Sequence, residues 1–232
     1  MRRSVVTVVI PAYNEERTIG NVISETTSIM NGLDVPYEII VVDDGSTDKT
    51  GQIASSHKVI VLSNNKNFGK GYALRKAFQY STGDIIVTID SDGEHKPKEI
   101  PDLVEPLFNG TDIVAGSRFL GSQRGVTTRL NLIGNLFFNA TIMTLTGKRI
   151  TDSQTGFRAI KRSVLQKLNL SSDGYEIESE ITVKSLKNEF TFTEAPISVE
   201  RRKHNISKIR LLKDGARILK TIFKANFMKL EH

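Results

Sequence analysis

The sequence predicts a single α/β domain built on a mostly parallel β-sheet with helices on both faces. Short runs rich in β-branched residues alternate with segments long enough for crossover helices, which is the pattern of parallel sheets. The first of these runs, residues 5–10, is apolar at almost every position, as expected for a strand covered on both sides. A chain of 232 residues, 38% of them hydrophobic, can build one domain with an ordinary core.

Five strands are predicted in the first half of the chain, and polar or turn residues directly follow four of them. The predicted strands are residues 5–10, 37–42, 58–62, 84–89 and 111–115. In open parallel sheets, ligands bind beyond the carboxyl ends of the strands. We therefore expect the chemistry of this protein to lie just after Ile10, Val42, Ile89 and Ala115.

The second half begins near Phe119 and is predicted to contain a Gly-containing loop, an uncharged helix and a basic tail. Residues 130–147 carry no charge, but only ten of them are apolar, and Asn131, Asn135 and Asn139 recur every four positions. This pattern favours a buried helix, or one that dips into a membrane interface, over a membrane span.

Composition narrows the possible chemistry. The chain has no cysteine, so it has neither disulfides nor a Cys-ligated zinc site, and a reducing compartment is allowed. We expect no signal peptide, because the apolar run near the N-terminus is short and leads into no cleavage pattern. Residues 230–232 resemble the remnant of an expression tag, and the natural chain can be longer.

The formal charge of +6 is concentrated in the tail, where residues 201–229 hold ten Lys or Arg and one acid. Apolar side chains recur there at helical spacing, at Ile209, Leu212, Ala216, Leu219, Phe223 and Phe227. Basic side chains lie on another face, at Arg210, Lys213, Arg217, Lys220 and Lys224. The pattern predicts an amphipathic helix at an anionic membrane surface, and the alternative is a helix packed on the domain with a solvated basic face. Nucleic acid is disfavoured as a partner, because the tail has few aromatic residues among its charges.

An acidic cluster follows the fourth predicted strand. Asp90, Asp92 and Glu94 place three carboxylates within a short stretch, and these ligands suit Mg²⁺ or Mn²⁺. The alternative is an Asp-Gly turn with solvated acids. An EF-hand is disfavoured because His95 stands where its loop requires glycine.

A second acidic segment follows the second strand. Ser46 and Asp48 are predicted to cap the next helix, whereas Asp44 can accept a hydrogen bond from a base or a ribose, beside the flat ring of Tyr13. No Walker A loop explains this region, since Asn64 stands where its first glycine belongs. The glycines at 69 and 71 are predicted to serve a turn and a helix start.

Together these segments resemble glycosyltransferase family two, which has the GT-A fold. The resemblance is carried by residues 9–16, 41–46, 89–92, 116–118 and 152–158, with sequences VIPAYNEE, VVDDGS, IDSD, GSR and DSQTGFR. Arg202 followed by Ser207 and Lys208 further resembles the dolichyl-phosphate mannose synthase branch.

The resemblance implies roles for individual residues. The nucleotide-sugar site would comprise Pro11, Tyr13, Glu15, Val42, Asp44, Asp90 and Ser91. A Mg²⁺ or Mn²⁺ ion would lie among Asp90, Asp92 and Glu94, and the acceptor phosphate would face Arg118, Arg129, Arg202 and Lys208. Asp92, Arg118 and Arg202 would be the catalytic residues. The chain departs from many relatives at Glu94, where they have Gln, and at Ile133-Gly134, where they often place a Ser.

The same resemblance implies one GT-A domain over residues 1–229. Residues 1–117 would hold the nucleotide sugar and the metal, 118–205 the acceptor and 206–229 a basic amphipathic helix, while residues 119–128 would form a lid over the donor. The expected enzyme is peripheral to the cytoplasmic face of a membrane. The sequence leaves its oligomeric state open.

The implied reaction is an inverting, metal-dependent transfer of a sugar to dolichyl or another polyprenyl phosphate. The donor would be GDP-mannose, UDP-glucose or UDP-N-acetylglucosamine. A phosphate acceptor is already ionised near neutral pH and needs no general base. The alternative is a sugar or protein hydroxyl acceptor, with Asp152, Glu178 or Glu180 as the base. A catalytically silent nucleotide-sugar or membrane-docking module is a third hypothesis, and the intact acidic cluster disfavours it.

Overall fold

The computed structural model describes residues 4–121, 129–200 and 211–227, and within them one seven-stranded sheet. The strands are β1 Val6–Ala12, β2 Tyr37–Asp43, β3 Ile60–Ser63, β4 Ile85–Thr88, β5 Ile113–Ser117, β6 Arg158–Lys161 and β7 Phe192–Pro196. The helices are α1 Ile19–Gly32, α2 Thr50–Ser55, α3 Lys70–Tyr80, α4 Ile100–Phe108, α5 Arg129–Thr146, α6 Arg162–Leu168, α7 Ile177–Lys187 and α8 Leu211–Phe227. A 3₁₀ turn, Pro97–Glu99, precedes α4.

The strand order is β3-β2-β1-β4-β6-β5-β7, and only β6 runs antiparallel to its neighbours. The predicted mostly parallel sheet is therefore confirmed, with all five predicted strands present. The polar composition of β6, which begins with Arg158 and ends with Lys161, hides it from a hydrophobicity pattern. The edge strand β7 ends in Pro196, a residue that edge positions tolerate because they need fewer backbone donors.

The core lies on both faces of the sheet. Every side chain of β1 is buried: Val8 and Ile10 pack toward α1 and α4, while Val9 packs on the other face with α3 and α7. Double-sided burial explains why the strand is apolar at nearly every position. It also places the carboxyl ends of β1, β2 and β4 along one edge, where the predicted site residues follow.

The tail helix α8 has three distinct faces, whereas the sequence pattern predicts two. Ile218, Ile222 and Ala225 are buried against α5 and α7, in a cluster that includes Ile142 and Val183. Of the predicted basic face, Lys213, Arg217, Lys220 and Lys224 are exposed, and of the predicted apolar face Phe223 and Phe227 are 45% and 78% exposed. The packed helix and the amphipathic surface helix are thus both present, on different sides of one element.

The uncharged helix α5 shows a similar division. Its buried Asn135 and Asn139 bind the loop after α5, whereas Ile133, Leu136, Phe137 and Met143 are each at least half exposed. The two helices touch where Phe138 of α5 lies beside Gly215 of α8. Among the described residues, no helix is both long and apolar enough to cross a bilayer.

Candidate active site

A cavity of about 880 Å³ opens at the carboxyl ends of β1, β2 and β4. Its lining includes most of the predicted nucleotide-sugar residues, namely Pro11, Tyr13, Glu15, Asp44, Asp90 and Ser91, and also the predicted metal ligand Asp92. Val42 is an exception, because its side chain is fully buried in the core beneath the cavity. The sheet therefore gathers side chains that are 80 positions apart in sequence.

Asp44 organises one wall of this cavity. Its carboxylate accepts hydrogen bonds from the Asn64 side chain at 2.7 Å, from the Phe68 amide at 3.1 Å and from the Gly69 amide at 2.7 Å. The same oxygens are predicted to accept a hydrogen bond from a base or a ribose. A carboxylate has about four acceptor positions, so it can accept both the protein donors and a nucleoside donor. The sequence does not predict that Asn64 and Phe68 contact Asp44, because a contact between loops leaves no periodic pattern in the sequence.

The two glycines of the segment 67–71 have a tighter role than a turn and a helix start. Gly69 has φ +108°, and a Cβ there would overlap the carbonyl oxygen of Asp173. A Cβ at Gly71 would likewise overlap the carbonyl oxygen of Ser172. The glycines therefore let the loop 171–174 pack directly on the start of α3, where it forms another part of the cavity lining.

Lys70, between these glycines, links the acidic cluster to a buried helix. Its Nζ lies 2.6 Å from Asp90 Oδ1 and 2.7 Å from Glu178 Oε1, and the Lys70 and Glu178 side chains are only 14% and 4% exposed. Burial opposes the charge on Lys70, but the two carboxylates raise its pKa above the ordinary value. Burial raises the pKa of Glu178, with the Lys70 cation acting in the opposite direction. The sequence pattern predicts roles for Gly69 and Gly71 but does not predict the ion pairs of Lys70 between them.

Gly156 is required by this ion pair. A Cβ at position 156 would meet Lys70 Nζ and would lie 2.7 Å from Asp90 Oδ2. We predict that Gly156→Ala lowers transferase activity at least about tenfold while the melting temperature changes by only a few degrees, because side-chain ends rather than backbone must move. Gly32→Ala is the matched control, since nothing lies within 4 Å of its added Cβ. Unchanged activity in Gly156→Ala would contradict a role for the Lys70–Asp90 geometry.

The acidic cluster fits a divalent cation in its chemistry. Asp90 and Asp92 line the same cavity, and Asp92 Oδ1 accepts the Glu94 amide at 3.0 Å, so the turn 92–94 is locally fixed. Glu94 is absent from the cavity lining. Over residues 4–121, 129–200 and 211–227, no three His, Asp or Glu side chains are gathered in a metal-binding arrangement. The three carboxylates are thus suitable hard ligands for such a cation, but they do not point toward one common position. Asp90 is instead paired with Lys70.

His95 lies behind the cluster, 5% exposed, with Nδ1 3.9 Å from Asp90 Oδ2 and its ring against Phe157. Burial lowers the pKa of His95. It is a packed neighbour of the site that sequence reasoning used only to disfavour an EF-hand.

Arg118 at the end of β5 is held by a two-point ion pair. Its Nε and Nη2 donate to Asp152 at 2.7 and 2.8 Å, and the Asn135 amide donates to the same carboxylate at 2.8 Å. Burial disfavours a charged Asp152, yet the Arg118 guanidinium holds its pKa below the usual range. Of the other predicted phosphate ligands, Arg202 and Lys208 lie outside the described residues, and for Arg129 only the helical backbone is described.

Comparison with known proteins identifies the family. The model of glycosyl transferase family 2 matches residues 7–168. The chain belongs to glycosyl transferase family 2. It is 32% identical to the dolichol-phosphate mannosyltransferase of Pyrococcus furiosus over 88% of this chain and 59% of the relative. It is also 32% identical to the UDP-N-acetylglucosamine–dolichyl-phosphate N-acetylglucosaminyltransferase of Methanococcus voltae, over 90% of each chain. These relatives confirm the predicted resemblance to the dolichyl-phosphate mannose synthase branch.

A solved structure confirms the GT-A fold. The glucosyl-3-phosphoglycerate synthase of Mycobacterium tuberculosis, in complex with Mn²⁺, UDP and phosphoglyceric acid, superposes with a TM-score of 0.78 at 26% identity. The match covers 97% of this chain and 80% of the neighbour. The protein is therefore a glycosyltransferase, as the sequence predicts.

Within this family 2 glycosyltransferase, the three carboxylates expected to serve as bases all have strong partners. Asp152 binds Arg118, and Glu178 binds Lys70. Glu180 lies 2.7 Å from Lys184 and accepts the backbone amides of residues 171 and 172. Burial opposes the charge on Glu180, but these bonds lower its pKa. Each of the three carboxylates therefore takes part in an ion pair within the protein.

Proposed function

We propose that the protein transfers a sugar from a nucleotide-diphospho-sugar to a polyprenyl phosphate, with inversion of configuration and with a divalent metal. The observation that carries this proposal is the engagement of Asp152, Glu178 and Glu180 in buried ion pairs. A hydroxyl acceptor needs a base to remove its proton, whereas a phosphate monoester with a second pKa of about 6 arrives ionised. The polyprenyl-phosphate names of the relatives support the same acceptor.

In this proposal the protein binds the nucleotide sugar, orients the acceptor phosphate and helps to neutralise the charge of the departing diphosphate. The ring of Tyr13 and the wall organised by Asp44 receive the nucleoside, and Asp90, Asp92 and Glu94 would hold Mg²⁺ or Mn²⁺. When bound, that ion would neutralise charge on the departing diphosphate. Relatives crystallised with Mn²⁺ or Mg²⁺ and UDP support this choice of ions.

The acceptor phosphate would approach from the side of Arg118. A guanidinium can hold two phosphate oxygens at once, and the bond to Asp152 fixes the plane of the Arg118 group before the acceptor arrives. Arg129, Arg202 and Lys208 are the further proposed phosphate ligands. One in-line displacement at the anomeric carbon inverts its configuration.

We further propose that α5 and α8 bring the enzyme to a membrane and thereby to its lipid acceptor. The outward stripe of α5 exposes Ile133, Leu136, Phe137 and Met143, and the neighbouring α8 exposes Phe223 and Phe227. Apolar stripes of this kind are typical of helices that lie in a bilayer interface. A peripheral location agrees with this proposal, and the cytoplasmic face of the membrane remains part of what we propose.

Docking through these stripes is testable with a matched pair of variants. Phe137→Ser with Phe223→Ser should weaken binding to phosphatidylglycerol-containing liposomes about tenfold or more at all salt concentrations, because it removes apolar area from the contact. Phe108→Ser with Tyr80→Ser removes two rings of similar exposure elsewhere, 48% and 61% exposed, and should leave sedimentation unchanged. Equal losses in both pairs would contradict docking through α5 and α8.

The function itself is tested by incubating the purified protein with GDP-mannose, UDP-glucose or UDP-N-acetylglucosamine and a polyprenyl phosphate. Nucleotide release and radiolabelled glycolipid are measured with and without excess EDTA. We expect metal-dependent glycolipid formation from one donor. Transfer to an added oligosaccharide but never to the lipid would favour the hydroxyl-acceptor alternative.

A further inference from the structure

The basic face of α8 borders the catalytic cavity. Lys213, Arg217, Lys220 and Lys224 follow one another at three- and four-residue steps, and all four line the cavity that also contains Asp90 and Asp92. The sequence pattern had suggested that this face meets a membrane. The structure turns it toward the site where the sugar donor is proposed to bind.

These four cations have no carboxylate partner among the described residues. Acids do lie nearby in the lining, but Asp173 is paired with Arg75, and Glu180 is paired with Lys184. Asp214 of α8 also lines the cavity, is buried and has an interaction of its own. Glu176 accepts the Gly174 amide within its own loop. Like charges one turn apart on a helix repel one another, and an anion bound beside them would relieve that repulsion.

The cavity is large enough to take that anion together with a nucleoside. At about 880 Å³ it lies within the range of small-molecule sites and toward the upper end of that range. The lining combines the strand-end carboxylates Asp90 and Asp92 with the four cations of α8, and α8 also contributes Asp214. Flexible ammonium and guanidinium groups are well suited to phosphate oxygens.

We propose that the basic face of α8 is a phosphate-binding wall of the catalytic cavity, additional to the ligands Arg118, Arg129, Arg202 and Lys208. The inference rests on the proposed function for the identity of the cavity. The phosphate belongs either to the diphosphate of the donor or to the head of the lipid acceptor. Because α8 also carries the outward Phe223 and Phe227, one helix then connects the membrane contact to the catalytic cavity.

The test is the double variant Arg217→Gln with Lys220→Gln. Its matched control is Arg149→Gln with Lys148→Gln, which removes the same two charges at exposed positions that line neither this cavity nor a second one beside α1. Binding of UDP, GDP and farnesyl phosphate is measured by calorimetry over a salt series. We expect at least tenfold weaker binding of one or more probes in the cavity variant, with a smaller salt dependence and a melting temperature that does not fall.

The choice of probes distinguishes the donor diphosphate from the phosphate of the lipid acceptor. Weaker UDP or GDP binding alone assigns the wall to the donor diphosphate, and weaker farnesyl phosphate binding alone assigns it to the acceptor. Equal binding of all probes in both variants overturns the proposal. Sedimentation with phosphatidylglycerol-containing liposomes is measured on the same variants, and a loss confined to liposome binding also overturns the proposal, because the stripe would then be a membrane contact. Binding is read without turnover, so a failure of glycolipid synthesis in the parent protein would be a separate result.

Discussion

Asp92→Asn is expected to reduce metal-dependent sugar transfer by about 10²–10³-fold while the protein remains folded. A group that stabilises developing charge at a preorganised site typically contributes that much to the rate. The substitution removes the charge of Asp92 but keeps an oxygen that can accept the Glu94 amide, a bond that is 3.0 Å long in the parent. Loss of activity would therefore report on charge and metal binding rather than on collapse of the turn 92–94.

The measurement is initial rate against Mg²⁺ and Mn²⁺ concentration, with thermal unfolding recorded in parallel. Glu105→Gln, on the exposed side of α4, removes one acid outside the cavity lining and should change neither quantity. Full activity of Asp92→Asn, or of the parent in excess EDTA, would contradict the metal assignment. A large fall in melting temperature would show that Asp92 has a structural role instead.

The strand ends were predictable because sheet geometry is regular. Once residues 5–10, 37–42 and 84–89 are recognised as parallel strands, Tyr13, Asp44 and Asp90 must come to one edge. The structure places all three in the lining of one cavity. The period and the apolar character of each run carry this information.

Contacts made by loops and by long-range packing were not predictable in the same way. Glu178 and Lys70 are 108 positions apart, and neither belongs to a periodic pattern that indicates the other. The third face of α8 was hidden for a related reason. Ile218 and Ile222 lie outside both the basic and the apolar stripe, so a pattern with two faces does not predict that they are buried.

Lys70→Met is expected to have the largest effect on stability, about 3 kcal/mol, because it leaves Asp90 and Glu178 without their shared cation. Removing one partner of a buried ion pair typically costs about 3–5 kcal/mol. The lower end is appropriate here, since Asp90 is 24% exposed and is partly stabilised by water. At about 2–4 °C per kcal/mol for a chain of this size, the melting temperature should fall by roughly 10 °C.

Two comparisons identify the cause of this loss. Lys70→Met with Glu178→Gln should be more stable than Lys70→Met alone, because an unpaired amide is less costly to bury than an unpaired carboxylate. Lys96→Met breaks the exposed ion pair with Glu200, whose side chain is 48% exposed, and should cost less than about 1 kcal/mol. If the double variant is no more stable than the single one, then Lys70 stabilises the domain through its packing, and the Asp90 carboxylate is positioned by other contacts.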